Sequence, residues 1–428
     1  MLLAHRIRID PTDEQRSYFF RAAGTSRRTW NWGLDQWQRQ LAAGGKPNAY
    51  ALKRQFNAIK YSDPEWLDED GLPWLKTMHR DSHAQPFTYL GRAMARYDDD
   101  VKNGRPAHPP RFKKKGRCPD SFYVANDKFR IKGHSAVLPK VGRVALSESL
   151  RLDGKIMGAT VIREAGHWTI SIQVDVPDAR AQRKRTADGI VGVDLGISSA
   201  ATMSTGEKVD SPRPLRRDLR RLRIRSRKVS HKLTAEKDRA GIQGAIPKGT
   251  RLPVSRNRIK AQEALARQHA RIAAKRCDFT HKLTTRLCRE NQTVVIEDLN
   301  VKGMMKNHRL ARAISDVGFG RISRQLAYKA PRYGTQIIVA DRWYPSSKLC
   351  SACGWKHARL SLGERSWRCS ECGTDHDRDH NAAINLQRLA TGAAVNSCGQ
   401  TALPVASRTA TSGTASGKKP HAGLAART

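Results

Sequence analysis

The chain has 428 residues, 39% of them apolar and 28% charged, with 79 Lys and Arg against 39 Asp and Glu, a formal net charge of +40. That length supports two or three domains with real cores, and no run of about eighteen apolar residues offers a membrane span. The positive charge comes in runs and repels itself unless it meets a polyanion, which points to nucleic acid rather than to an evenly solvated surface.

The opening MLLAHRIRIDPTDEQ has no apolar core followed by a cleavage site, so it does not read as a signal peptide. Four of the eight cysteines are scattered (Cys118, Cys277, Cys288 and Cys398). Such usage suits a reducing, intracellular setting rather than a disulfide framework.

In chain order, Leu3, His5, Ile7 and Ile9 alternate and predict a strand over 1–10. Thr12 or Asp13 caps a helix that Gln15 answers from inside. Apolar residues recur along it through Phe19, Phe20, Ala23, Trp30, Leu34 and Trp37. Trp30, Trp32 and Trp37 are expected in a core rather than against bases. Further helices are predicted over about 49–59 and 87–97. Near Pro106 the chain turns basic and extended, PAHPPRFKKKGRC, and Lys113, Lys114 and Lys115 are expected on a phosphate backbone. From 121 to 176, short β-like runs predict a small antiparallel sheet or barrel. The first strand can join it, with the helical lobe inserted between.

The run DGIVGVDLGISSAATMSTGE reads as strand, glycine turn, strand. RPLRRDLRRLRIRSRKVSHK is predicted helical, with arginines on every face and too few acids to offset them. Arg216, Arg217, Arg220, Arg221 and Arg225 are therefore expected on phosphates. A loop over 241–257 precedes a long amphipathic helix over 259–288, with Leu265, Ile272, Phe279 and Leu283 on one stripe. A buried strand (293–296), a helix (about 320–330) and a strand (335–340) follow. The tail, 392–428, lacks periodicity and is predicted to be disordered.

Three acids stand in informative contexts. Asp194 follows Val191 and Val193 at a strand end, where Gly192 and Gly196 allow close approach to the backbone. Glu297 ends the apolar run Val294-Val295-Ile296, and Asp379 begins the helix NAAINLQRL. Two strand ends and a helix start can converge. Three carboxylates then offer hard oxygen ligands for Mg²⁺ or Mn²⁺. Asp377 competes with Asp379 or supports it, while Asp298 and Asp375 read as caps or surface contacts.

Cys350, Cys353, Cys369 and Cys372 form two Cys-x-x-Cys pairs, each followed by glycine (Gly354, Gly373). This is the spacing of a closed, structural Zn²⁺ site rather than of an iron–sulfur or redox pair. Trp355 and Trp367 are expected to pack on it, with His357 and His376 as bystanders.

GVDLGIS, IEDLNVKGMMKN, LARAISDVGFG, ADRWYPSSKLCSACG and CGTDHDRDHNAAINL together resemble the TnpB (OrfB) transposon-encoded nucleases, relatives of type V CRISPR effectors. The likeness is dense over about 189–389 and sparser at the N-terminus, in PTDEQ and FKKKGRC…SFY. It implies a multidomain α/β plus β fold. An RNase H-like (RuvC) nuclease core would span 187–341 and 374–391, with a zinc ribbon inserted at 342–373. A wedge β-barrel would span 1–10 and 118–182, and a helical recognition lobe 11–117.

The resemblance further implies a guide RNA and a double-stranded DNA target as partners, a motif read beside the target, and a monomer. The metal-binding acids map to Asp194, Glu297 and Asp379, and the zinc ligands to the four cysteines. The recognition lobe departs from the family at HRDSHAQPFTYLG, where Pro86 is expected to break a helix. The expected function is an RNA-guided, metal-dependent DNA endonuclease. A nuclease-inactive guided DNA-binding regulator and an accessory transposase are the alternatives.

Overall fold

The structure, a computed structural model, describes residues 1–247, 249–250, 252–361 and 363–392. Of the tail expected to be disordered, 392–428, all but Gly392 lies outside the described residues. The chain divides into two compact units: residues 1–183 with 214–275, and residues 184–213 with 276 onward.

The first unit opens with β1 (Leu2–Asp10), whose alternation buries Ile7 and Ile9. Thr12 and Gln15 form the predicted reciprocal cap of α1 (Asp13–Ala42). Trp32 and Trp37 pack with α2 (Ala49–Ile59) and α3 (Asp81–Lys102) around Phe56, Trp66 and Phe87. Trp30 joins Leu34, Leu90 and Met94, so the three tryptophans serve the core.

Helix α3 starts six residues before the predicted 87, and Pro86 lies inside it without breaking it. An interior proline usually costs about 3 kcal/mol, in part because it leaves the carbonyl four residues earlier without its amide. That carbonyl, on Ser82, accepts the Ser26 hydroxyl of α1 at 2.7 Å. Docking against α1 replaces the lost bond, a long-range compensation that a local reading of HRDSHAQPFTYLG misses.

Six more strands follow: β2 (Ser121–Ala125), β3 (Arg130–Lys132), β4 (Ser135–Leu138), β5 (Gly142–Leu146), β6 (Lys155–Glu164) and β7 (His167–Asp175). With β1 they form one antiparallel sheet in the order β2-β6-β7-β1-β5-β4-β3. The N-terminal strand thus sits mid-sheet between β7 and β5, and α1 to α3 lie between β1 and β2 in the chain. Phe19 of α1 meets Phe122 and Trp168 with ring centroids 5.4 and 5.1 Å apart, and full burial of such a ring contributes about 2–3 kcal/mol.

After one-turn α4 (Asp178–Ala181), the unit takes up α5 (Pro214–Arg239) and the first part of α6 (Arg256–Glu290). These run antiparallel as a hairpin. Asp218 pairs with Lys275 at 3.2 Å, Arg225 donates to the Ala264 carbonyl at 2.5 Å, and Glu236 pairs with Arg258 at 2.5 Å. Leu215, Leu222 and Val229 lie on the same half-buried stripe at heptad spacing. Arginines therefore do not cover every face of α5. One stripe faces α6.

The second unit holds a five-stranded sheet in the order β10-β9-β8-β11-β12. Its strands are β8 (Gly189–Asp194), β9 (Ala201–Met203), β10 (Lys208–Val209), β11 (Asn291–Glu297) and β12 (Gln336–Ala340). Strands β8, β11 and β12 are parallel, and β9 and β10 continue antiparallel. Short helices α7 (Val301–Met304) and α8 (Ala311–Val317) lead to α9 (Phe319–Tyr333). The C-terminal part of α6 with α8 and α9 covers one face through Leu283, Leu287, Ile314, Phe319, Ile322 and Leu326. Beyond the two-stranded hairpin of β13 (Ser366–Arg368) and β14 (Asp375–Asp377), α10 (Arg378–Thr391) packs Leu386 on the opposite face against Val295 and Ala340. With both faces covered, the parallel strands read as continuous apolar runs. No described helix is long and apolar enough to cross a membrane.

Candidate metal centres: a carboxylate site and a cysteine cluster

The carboxylate site follows from strand alternation. Val191 and Val193 of β8, like Val294 and Ile296 of β11, pack toward the α6–α9 face. The alternate positions, Gly192, Asp194, Val295 and Glu297, therefore face α10. Strands β8 and β11 run in register, Val193 beside Ile296, so Asp194 and Glu297 end neighbouring strands at the same level.

Gly192 sets the depth at which α10 lies. A Cβ there would stand 1.9 Å from the Ala383 carbonyl oxygen and 2.5 Å from the Gln387 nitrogen. Only glycine permits this backbone-to-backbone approach, and the Gln387 side-chain amide secures it by donating to the Ile190 carbonyl at 2.7 Å. The first turn of α10 then carries Asp379 toward the strand ends.

Electrostatics report the convergence. The Asp194 carboxyl is pushed up to about 8 by burial, then by Glu297 and Asp379, against opposing pulls from Arg378 and Arg365. Ser346 donates a short hydrogen bond to Glu297, and Arg365 donates to Asp379 at 3.3 Å. The three acids thus share one field. Their oxygens do not gather within 4.8 Å of one another, as the cysteine sulfurs below do. Hard oxygen donors that hold off each other's charge are a donor set suited to a divalent cation.

Asp377 is engaged by its neighbours. It caps α10, accepting from the His380 amide at 2.9 Å, and pairs with Lys208 at 2.7 Å. Asp298 pairs with Arg342 at the surface, as expected.

The ligand sulfurs of Cys350, Cys353, Cys369 and Cys372 all lie within 4.8 Å of one another, with cross-pair contacts of 3.6 Å between Cys350 and Cys372 and between Cys353 and Cys369. Four sulfurs about 2.3 Å from a tetrahedral zinc stand about 3.8 Å apart, so the cluster fits that ion. The two knuckles repeat one plan. Gly354 (φ 81°) and Gly373 (φ 70°) return their amides to the carbonyls of Cys350 and Cys369 at 2.8 and 3.0 Å.

His376 is no bystander. It is buried beneath Trp367, with ring centroids 4.5 Å apart, and its Nε2 lies 3.0 Å from the Cys350 sulfur. His357 contacts the Trp355 and Trp367 rings.

Two asparagines link the centres. Asn381 accepts from the Ser351 amide at 2.8 Å and donates to the Leu349 carbonyl at 2.7 Å. Asn385, one turn on, donates to the carbonyls of Ser346 and Leu349 at 2.8 and 2.7 Å. Both are buried. They fasten the first knuckle to the helix that bears Asp379, and Ser346 beside them reaches Glu297. Sequence reasoning misses Ser346, Arg365, Asn381 and Asn385. Its usable signal is a pair of asparagines at i, i+4 on the apolar face of NAAINLQRL.

The basic residues divide. Lys114, Lys115, Arg216, Arg217, Arg220 and Arg221 are exposed. Lys113 rests its ammonium 3.8 Å from the Trp30 ring centroid, and burial lowers its pKa. Arg225 is tied to α6. Lys113 and Arg225 thus meet protein where phosphate was expected, and exposed Arg221 also stands 3.9 Å from Asp218.

Residues 170–308 match the OrfB IS605 family, described as "Probable transposase", and residues 319–386 match the Cas12f1-like TNB domain. A protein of Streptomyces pristinaespiralis named "Putative RNA-guided DNA endonuclease" is 36% identical over 403 residues, 92% of this chain and 90% of that one. The chain belongs to the TnpB (OrfB) family. InsQ of Escherichia coli, of the same description, is 28% identical across 93% of this chain and 94% of its own length. The Cas12f1 chain of a complex with guide RNA and target DNA aligns at a TM-score of 0.48 and 14% identity, covering 88% of this chain and 83% of that one. Residues 1–46 match a family segment described as a helix-turn-helix. Here that segment is one strand followed by a single 30-residue helix.

Proposed function

We propose that this protein is an RNA-guided DNA endonuclease, encoded by a transposable element, that hydrolyses phosphodiester bonds with Mg²⁺ or Mn²⁺ held by Asp194, Glu297 and Asp379. What supports this reading is the placement of Asp194 and Glu297 at the ends of neighbouring parallel strands, with Asp379 in the first turn of the helix packed against Gly192. In this reading the second unit is the RNase H-like (RuvC) core with its zinc ribbon, and Zn²⁺ sits on the four cysteines. The antiparallel sheet is the wedge barrel, and the inserted helices are the recognition lobe. A guide RNA and double-stranded DNA are the partners, and the protein acts as a monomer.

Divalent ions at such a site activate a water and stabilise the departing oxygen of the phosphodiester. The chain's own residues prepare for this. Asp194, Glu297 and Asp379 would hold the cation, and burial with the two neighbouring acids disfavours the Asp194 charge that such a cation would offset. Ser346 fixes one oxygen of Glu297, and Arg365 steadies Asp379. Asn381 and Asn385 hold Ser346 and the first turn of α10 in one frame. Base pairing to the guide reads sequence, so the protein needs mainly non-specific positive surface, which a net charge of +40 provides.

The test is cleavage of a matched duplex in Mg²⁺ by protein purified with its co-expressed RNA. Cutting that leaves a 5′-phosphate and a 3′-hydroxyl, and that Asp194→Ala abolishes, is the expected result. An inert wild type, or cutting that survives the substitution, overturns the proposal.

A further inference from the structure

Trp343 is 84% exposed, the most exposed large hydrophobic residue among those described. Single exposed apolar residues are ordinary. This one is distinguished by how firmly its neighbours are held and by where they hold it. The Asp341 carboxylate accepts from the Trp343 amide at 2.8 Å, and the Asp341 carbonyl accepts from the Tyr344 amide at 3.1 Å. Arg342 pairs with Asp298 at 2.5 Å. Tyr344 packs against the core of Val295, Ala340 and Leu386 and donates its hydroxyl to the Asn385 carbonyl. Of two adjacent aromatics, one meets the needs of the fold and the other projects into water from a pinned turn.

The turn belongs to the carboxylate site. It leaves β12 at Ala340, which pairs with Glu297, and three residues beyond Trp343 it returns to Ser346, whose hydroxyl bonds Glu297. Three residues of extended chain span at most about 10 Å. An indole anchored there lies within two or three nucleotides of a phosphate bound at the acids.

An exposed, pre-positioned aromatic beside a site for a flexible polyanion has one evident chemical use. Any nucleobase offers it a π-face, so stacking tolerates all sequences. That is what a guided enzyme needs of a contact to the strand it cuts. We infer that Trp343 stacks on a base of the DNA strand entering the carboxylate site and holds the flanking phosphate in place. The inference deepens the nuclease reading and rests on it.

The test uses the RNA-loaded full chain with Asp194→Ala, so that DNA stays intact. It is bound to matched duplexes in which 2-aminopurine replaces one base at a time along each strand. Stacking on an aromatic quenches this probe. One or two positions are expected to be quenched with Trp343 present, to brighten in Trp343→Ala, and to be quenched again in Trp343→Phe. With Asp194 restored, Trp343→Ala is expected to slow cleavage about tenfold, within the range of one lost base stack, at an unchanged melting temperature. A fluorescence profile that is the same in Trp343→Ala at every position overturns the inference, whatever the rate. If the wild type fails to cut at all, the nuclease reading falls instead.

Discussion

The two candidate metal centres share the N-terminal turns of α10 and are built in opposite ways. The cysteines fall within 23 residues of chain, two to a knuckle, and their sulfurs already stand at the separation a tetrahedral ion requires. The carboxylates come from two strands and a helix up to 185 residues apart, and they influence one another without closing to a common contact. Two knuckles of local chain crowd the four sulfurs, whereas the three acids, which come from distant segments and disfavour the charge on Asp194, must be held together by the surrounding fold. The first centre is set by local backbone geometry. The second is set by sheet register, by Gly192, and by the docking of α10.

Removing the sulfur site is the largest disturbance expected. Apparent binding energies for structural zinc are about 10–16 kcal/mol and count as folding energy. Cys369→Ala should therefore lose its zinc by elemental mass spectrometry. It should also expose the hairpin of β13 and β14 to proteolysis, because the two knuckles share the ion. Asp194→Ala should act in the other sense. Cleavage is expected to fall on the order of 10³-fold or more, while zinc content and guide RNA binding stay at wild-type levels. If Asp194→Ala also cost the protein its zinc, the two centres would be one cooperative structure rather than two devices sharing a helix.

The difference also explains what could be read from the sequence. The cysteine spacing, the Thr12–Gln15 cap, the alternation of β1 and the stripe of α6 are local patterns, and each appears in the structure. The acids were legible as strand ends and a helix start, since an acid after Val-Gly-Val needs a reason. What failed depended on distant partners. Pro86 is tolerated because Ser26 reaches Ser82. Arg225 and Lys113 found protein acceptors and an aromatic ring. His376 and the asparagine pair matter only once the first knuckle folds onto α10. A polar residue's role lies in its partner, and composition does not name partners.

Asn381→Ala probes the link between the centres, with a smaller effect. It leaves the Ser351 amide and one bond to the Leu349 carbonyl unmet, and such a buried loss costs about 1–3 kcal/mol. Supporting hydrogen bonds around a metal ligand set are worth about 10–100-fold in affinity. Zinc competition titrations should show a loss of that order. Cleavage should fall with it, because the same bonds steady the turn that carries Asp379. An unchanged cleavage rate beside weakened zinc would mean that the ribbon holds itself and not the carboxylates.

The smallest effect expected is the most telling about the carboxylates. Asp194 has its folded proton affinity raised from an ordinary 3.8 to about 8. Between those values the folded, cation-free protein binds a proton that the unfolded chain has released. Its stability is therefore full below about pH 4 and declines as pH rises toward 8. Asp194→Asn keeps the shape and removes the titration. Without divalent ions, that variant should melt about two to four degrees above the wild type at pH 8 and no higher than it at pH 4. Millimolar Mg²⁺ should close the gap by raising only the wild type. The gap opens because burial and two neighbouring acids oppose the Asp194 charge, and a bound cation removes that opposition. Equal melting temperatures at pH 8 without Mg²⁺ would mean that solvent, not the protein, carries the Asp194 charge, and the acids would then lack the mutual strain that a cation relieves.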